Sequence, residues 1–185
     1  MAEIAIRRAG PDDAVSIAAI HEAAVEDERR RGHYSDRQID AWAHPRSLAE
    51  LRAQLRARRF FIAETSVASA AYAQLDLENA TLRSIYVRPE YRRRGLGRRL
   101  ADTVLEAARA AGLQRLELDS SLNAVRFYEA LGFARIGDVE HELRRGVAMP
   151  CVRMARDILD ESRETALPDR EESPANLGVH PRADR

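Results

Sequence analysis

The chain has 185 residues, enough for one domain with a substantial core, and 45% of them are hydrophobic, a globular composition. Its 30 basic and 30 acidic side chains cancel, so no global field draws nucleic acid or an anionic membrane. No apolar run approaches the roughly 18 residues of a membrane span, and Met1-Ala2-Glu3-Ile4 lacks the basic-then-apolar pattern of a signal peptide.

Every basic residue is arginine, so the protein has no lysine side chain of its own to modify. The only cysteine, Cys151, sits beside Met149 and Val152 and reads as a small core hydrophobe. A lone cysteine forms no internal disulfide, which fits a reducing cytoplasm.

Glu3 to Arg7 alternates and predicts a first strand. Gly10-Pro11-Asp12-Asp13 predicts a turn and a helix start with an Asp as N-cap. Ile17, Ile20, His21 and Ala24 then recur at helical spacing, and the charge run Glu26 to Arg31 reads as a solvated helix end. Gly32 to Asp36 is a turn carrying an exposed His33 and Tyr34, followed by a helix from Arg37 to Ala43. The single tryptophan, Trp42, either packs that helix onto the body or walls a pocket. Leu48, Leu51 and Leu55 mark another helix, ending in Arg56 to Arg59. Phe60–Glu64, Ser69–Leu77 and Ala80–Val87 then read as strands of an antiparallel meander.

The most informative stretch follows, from Tyr86 to Gly97. Pro89 cannot continue a strand ladder. Gly95 and Gly97 let the backbone approach a bulky group, and the amides of the helix start point outward with the positive end of the macrodipole behind them. This is a backbone anion site, suited to a phosphate or pyrophosphate. The P-loop pattern is excluded because there is no lysine, and the dinucleotide pattern fails because Arg99 and Leu100 follow Gly97.

The helix that opens there buries Leu100, Val104, Ala107, Ala108 and Ala111, wets Arg98, Arg99, Asp102, Glu106 and Arg109, and ends at Gly112. Arg115–Asp119 is a strand, and Ser120-Ser121 caps a short helix, Asn123–Leu131, stopped by Gly132. Phe133–Glu140 and Val147–Arg156 form a last pair of strands around Arg144-Arg145-Gly146. Beyond Asp157 the pattern decays, with a helical continuation to about Thr165 and a flexible tail from Pro168 to Arg185.

Taken alone, Phe127 and Leu131 are core, Tyr128 is a core tyrosine with a satisfied hydroxyl, and Asn123 is a helix N-cap. Two segments in order say more. Arg92-x-x-Gly95-x-Gly97 and the later Asn123, Phe127-Tyr128 and Gly132-Phe133 together resemble the GCN5-related N-acetyltransferase (GNAT) superfamily, with the framework covered from about Ile4 to Met154.

The resemblance implies an α/β (α+β) fold: a mixed, mostly antiparallel central sheet flanked by helices, with splayed central strands holding acetyl-CoA. It implies a domain over residues 1–156 and an extension over 157–185. Acetyl-CoA would contact Tyr86, Val87, Arg92, Arg93, Arg94, Gly95, Leu96, Gly97, Arg98, Asn123 and Tyr128. Tyr128 would protonate the departing thiolate, since a neutral phenol holds its proton at working pH. The Val87 amide would polarise the thioester carbonyl. His21, Tyr34 and Trp42 would border the acceptor, and no metal is implied. Many relatives place a Glu near the start of the strand equivalent to Ala80–Val87; here Thr81 stands there. Glu78 is taken as the catalytic base, with Asp119, His21 and a water relay as alternatives.

The expected activity is transfer of acetyl from acetyl-CoA to a primary amine of a small molecule or peptide, by direct attack in a ternary complex. The rivals are a CoA-binding sensor without catalysis and a nucleic-acid binder built on the Arg56–Arg59 and Arg92–Arg99 runs, against which the zero net charge argues; an acetyltransferase directed to tRNA would combine features of both. The expected setting is cytoplasmic, without membrane contact, and homodimers are common in the family.

Overall fold

The computed structural model describes residues 4–43, 47–143 and 146–158. Strands β1 (Ala5–Arg8), β2 (Arg59–Glu64), β3 (Ser69–Asp76), β4 (Thr81–Val87), β5 (Arg115–Ser121), β6 (Ala134–Leu143) and β7 (Val147–Asp157) form one sheet in the order β1-β2-β3-β4-β5-β7-β6. All neighbours are antiparallel except β4 and β5. Helices α1 (Ala14–Glu28), α2 (Asp36–Ala43), α3 (Leu48–Ala57), α4 (Leu96–Ala110) and α5 (Val125–Glu129) complete the architecture.

Side-chain alternation along β3 sorts the layers. Ala71, Ala73 and Leu75 pack with Leu100, Val104 and Ala108 of α4, while Tyr72 packs with Ile17 and Ile20 of α1 and Leu51 and Leu55 of α3. Both faces of β3 are therefore covered. That explains its weak polar alternation: every residue from Ala70 to Asp76 is buried, polar ones included. A third cluster joins Val25, Tyr34, Ile39 and Ala43 to Met149 and Cys151 of β7. Cys151 is accordingly a buried thiol, 2% exposed.

Asp13 stands at the N-cap of α1 as expected but makes no side-chain cap there; its carboxylate turns back to accept from the N–H of Gly10 (2.8 Å), the N-cap of the preceding 3₁₀ turn Pro11–Asp13, and pairs with Arg7 (2.7 Å). Three local expectations are corrected. The run Glu26–Arg31 is not all solvated, because Glu28 is 3% exposed and on the buried stripe of α1. Ser121 makes no side-chain cap; a 3₁₀ turn, Leu122–Ala124, precedes a shorter α5. Ala111 is exposed, past the end of α4. The core reaches Ile158, which is buried and donates its N–H to the Gln114 carbonyl (2.6 Å). Glu3, the Arg144-Arg145 turn and the tail beyond residue 158 lie outside the described residues.

Candidate active site

β4 and β5 share a single bridging pair, Thr81 and Glu117, and then part. From Leu82 to Val87 the β5-facing edge of β4 has no strand partner among the described residues, although β3 stays paired along its other edge. The β3–β4 register shifts beside Leu75: Leu75 faces Leu82 and Gln74 faces Ser84, leaving Arg83 as an extra residue in β4. Such a bulge bends a strand and re-aims its ladder groups. The opening between the strands is part of a cleft of about 550 Å³, a volume suited to a small-molecule ligand.

The loop after β4 is shaped by sterics. A 3₁₀ turn, Pro89–Tyr91, follows Arg88, whose N–H returns to the Ala70 carbonyl (2.9 Å). Arg93 (φ 61°) and Gly95 (φ 77°) are both left-handed, and Gly95 caps α4. The curl leaves the first amides of α4 without intrahelical acceptors, as an anion site requires. Gly97 has a different reason: a β-carbon there would stand 3.2 Å from the Phe127 ring. Its missing side chain seats Phe127 between α4 and α5.

Of the expected cofactor contacts, Tyr86, Val87, Arg92, Gly97, Asn123 and Tyr128 line the cleft. Arg93, Arg94 and Gly95 are exposed on the loop and outside the lining, with Arg94 lying over the Tyr91 ring at 5.3 Å. Leu96 turns its side chain into the core at 1% exposure, so only its backbone is available. Arg98 faces a separate depression with Asp102 and Arg109. Arg92 is already engaged: it pairs with Asp27, with Glu28 (3.4 Å) and with the Ala24 carbonyl (3.3 Å), tying the loop to α1.

Tyr128 is 7% exposed, its ring edge-on to Phe127 and Phe133. Burial, with a smaller effect of Tyr86, pushes its phenol pKa up, so it keeps its proton. Asn123 has a buried Oδ1 without a hydrogen-bond partner among the described residues, an orphan on the cleft wall.

The opposite wall is aromatic. The Trp42 indole N–H donates to the Tyr86 hydroxyl (2.9 Å), and His21 stands edge-on to the Tyr86 ring at 4.8 Å. Both His21 and Trp42 line the cleft. Tyr34 does not. It is buried behind Trp42, and its hydroxyl donates to the Pro150 carbonyl (3.1 Å) and accepts from the Leu122 N–H (2.7 Å). Tyr34 supports the wall rather than touching a substrate. Burial raises its phenol pKa to about 12. Glu78 is likewise misplaced as a base: it is exposed in the β3–β4 turn, outside the cleft lining.

Glu28, Gln74 and Ser84, none of them a site residue by sequence, also line the cleft, and each carries a buried polar atom without a partner among the described residues. Glu28 was detectable, since it continues the stripe Ile17, Ile20 or His21, and Ala24 at helical spacing. Burial raises its pKa against the opposing pull of Arg31 and Arg92. Asp119 lines the cleft while pairing with Arg153 (2.9 Å). Among the described residues no group of 3 or more His, Cys, Asp or Glu side chains could hold a metal ion.

Residues 30–155 match the model of the acetyltransferase (GNAT) domain family. A ribosomal protein bS18-alanine N-acetyltransferase of Salmonella typhimurium is 38% identical over 74 residues, which are 38% of this chain and 50% of the relative. The chain thus spans about half the length of the curated relatives it matches. A GCN5-related N-acetyltransferase from Rhodopseudomonas palustris superposes with a TM-score of 0.78 at 28% identity, covering 85% of this chain and 97% of that one. A Thermoplasma acidophilum N-acetyltransferase solved with coenzyme A matches in fold, with a TM-score of 0.65 at 16% identity over 84% of this chain and 99% of that one.

Proposed function

Because this chain belongs to the GNAT acetyltransferase family, we propose that it transfers acetyl from acetyl-CoA to an amine of a small molecule or peptide by direct attack. The observation that carries the reading is the parting of β4 from β5 after one bridging pair, with the Asn123 and Tyr128 side chains on the cleft wall. The unpaired edge of β4 supplies backbone groups for a pantetheine arm, and the orphaned Asn123 Oδ1 accepts from one of its amides. The amides after Arg93 cradle a pyrophosphate, the left-handed residues Arg93 and Gly95 aiming them.

The residues then divide the chemistry. The Val87 amide polarises the thioester carbonyl as negative charge develops on its oxygen. Tyr128, neutral at working pH, gives its proton to the leaving thiolate. A protonated amine is no nucleophile, and Glu78 is exposed away from the cleft, so His21 or a water beside it removes that proton. Trp42 and Tyr86 form a rigid wall for the acceptor.

A CoA sensor would bind the same ligand without turnover. A tRNA-directed enzyme would need free arginines in its basic runs. Arg58 pairs with Asp76 (3.1 Å), Arg92 with Asp27 and Glu28, and Arg99 with the Ile4 carbonyl (3.0 Å), whereas Arg56, Arg93, Arg94 and Arg98 are exposed; the balance of 30 basic and 30 acidic residues favours the smaller acceptor. Calorimetric titration with acetyl-CoA and CoA at two salt concentrations tests the reading. Micromolar binding of about one ligand per chain, weakened by Gly95→Glu, is expected; no binding at millimolar ligand sinks it. Turnover that falls with Tyr128→Phe while binding persists separates the enzyme from the sensor.

A further inference from the structure

The α1-facing side of the cleft holds polar groups that the reaction does not use. Gln74 on β3 and Ser84 on β4 are cross-strand partners, and Phe60 on β2 is the next residue in that row. One pleat along, the matching row is Ile62, Tyr72 and Tyr86. Side chains two apart on a strand share a face and are separated by roughly 7 Å. The Gln74–Ser84 row therefore sits one pleat along the sheet from the Tyr86 row, toward the Thr81 end of β4, and both rows line the cleft.

Gln74 is 6% exposed, yet its Nε2 has no hydrogen-bond partner among the described residues, and neither has the buried Ser84 Oγ beside it. Both residues line the cleft. A buried amide donor left unmatched forfeits its hydration without replacement. A native sequence keeps such a cost where a ligand removes it. Around the pair the wall is apolar or aromatic: Phe60, Tyr72 and Leu51. Arg83, the neighbouring cation on β4, lies 4.0 Å from Asp76. A charged group beside the pair would lose its hydration, and neither residue of the pair supplies a counter-charge; the nearby carboxylates are already engaged, Asp76 by Arg58 (3.1 Å) and Glu28 by Arg31 (3.3 Å) and Arg92 (3.4 Å). A side-chain amide offers a donor and an acceptor on one planar group, and its natural complement is another amide.

We propose that Gln74 and Ser84 form an acceptor subsite for a neutral amide, so that the amine substrate is a peptide or amino-acid amide rather than a polyamine or an amino sugar. The inference rests on the acetyltransferase reading. An amine at the Tyr86 row and an amide about 7 Å along the sheet from it are spanned by an extended dipeptide, whose residues advance about 3.4 Å each. Recognition by Gln74 then selects among amines that the reacting centre by itself treats alike.

Calorimetry on the CoA-saturated full chain tests this, with alanyl-alaninamide, pentane-1,5-diamine and glucosamine as probes. The dipeptide amide is expected to bind at least tenfold more tightly than the other two. Gln74→Met, which keeps the length and removes the amide, should weaken the dipeptide amide about tenfold. CoA and diamine binding should stay unchanged. If the diamine or glucosamine binds as well as the amide, if nothing but CoA binds, or if Gln74→Met leaves dipeptide binding intact, the subsite is overturned and the acetyltransferase reading stands. Failure of CoA itself to bind is the separate result that removes the parent reading.

Discussion

Phe127 stands 3.2 Å from the place that a β-carbon on Gly97 would occupy, so the glycine at the cofactor loop is also a packing site. Gly95, with nothing within 4 Å of its own virtual β-carbon, is instead held by its left-handed backbone (φ 77°). The two glycines fail differently. Gly97→Ala overpacks the ring and should cost about 1–2 kcal/mol, recovered in part by adding Phe127→Leu. Gly95→Ala should cost about 1 kcal/mol of backbone strain, with no recovery from the same second change. Denaturant unfolding of the four variants decides; equal rescue of both would disprove the assignment.

Arg92 is a clamp between the loop and α1. Its pairs with Asp27 and Glu28 are partly shielded, the side chains being 24%, 15% and 4% exposed. Arg92→Met strips a cation from a buried carboxylate and should cost about 2 kcal/mol of stability. CoA affinity should fall less than with Gly95→Glu. A large affinity loss at unchanged stability would show that Arg92 serves the phosphates instead.

Stability should respond to Glu28 as pH changes. Burial raises its pKa above the ordinary 4.5, so the folded protein holds this proton more tightly than the unfolded chain. The associated stability is present below the unfolded value and is lost as pH rises through the folded one. Asp13 acts in the opposite sense: the hydrogen bond from Arg7 depresses its pKa, so its contribution is present above the unfolded value and lost as pH falls through the folded one. Unfolding free energy measured from pH 4.5 toward neutrality should decline more steeply in the wild type than in Glu28→Gln. Parallel curves would refute the assignment.

Tyr128→Phe removes one oxygen from a buried ring and should leave CoA binding within a few-fold. The rate of transfer should fall on the order of 10²–10⁴. Because burial raises the phenol pKa, the wild-type rate should show no loss from this group near pH 10, the pKa of a free phenol. A descending limb there that vanishes in Tyr128→Phe would contradict a buried donor.

Trp42→Phe deletes the N–H that holds the Tyr86 hydroxyl at 2.9 Å. The loss of one neutral hydrogen bond should cost about 1 kcal/mol. KM for the amine should rise while KM for acetyl-CoA stays. Equal changes in both would show that the wall serves the cofactor.

Much of this molecule was written in one dimension. The order of strands and helices, the stop at Pro89, the glycine-rich start of α4 and the Gly132 exit from α5 all depend on local backbone preference and periodicity, which a sequence displays directly. So did the two segments whose spacing carries the family, and the cleft placed Tyr86, Asn123 and Tyr128 together from both. Tertiary structure decided what depends on partners far along the chain. Glu28 finds its partner Arg92 64 positions away, and the Tyr34 hydroxyl is held by Pro150 and Leu122. Glu78 looked close to the chemistry because it is close in sequence to β4, yet the turn turns it to solvent. Gln74 gave no local signal: an amide in a strand looks the same whether its face meets water or a buried cleft. Electrostatic pairing and desolvation act through space, and only the packed sheet brings those distances into being.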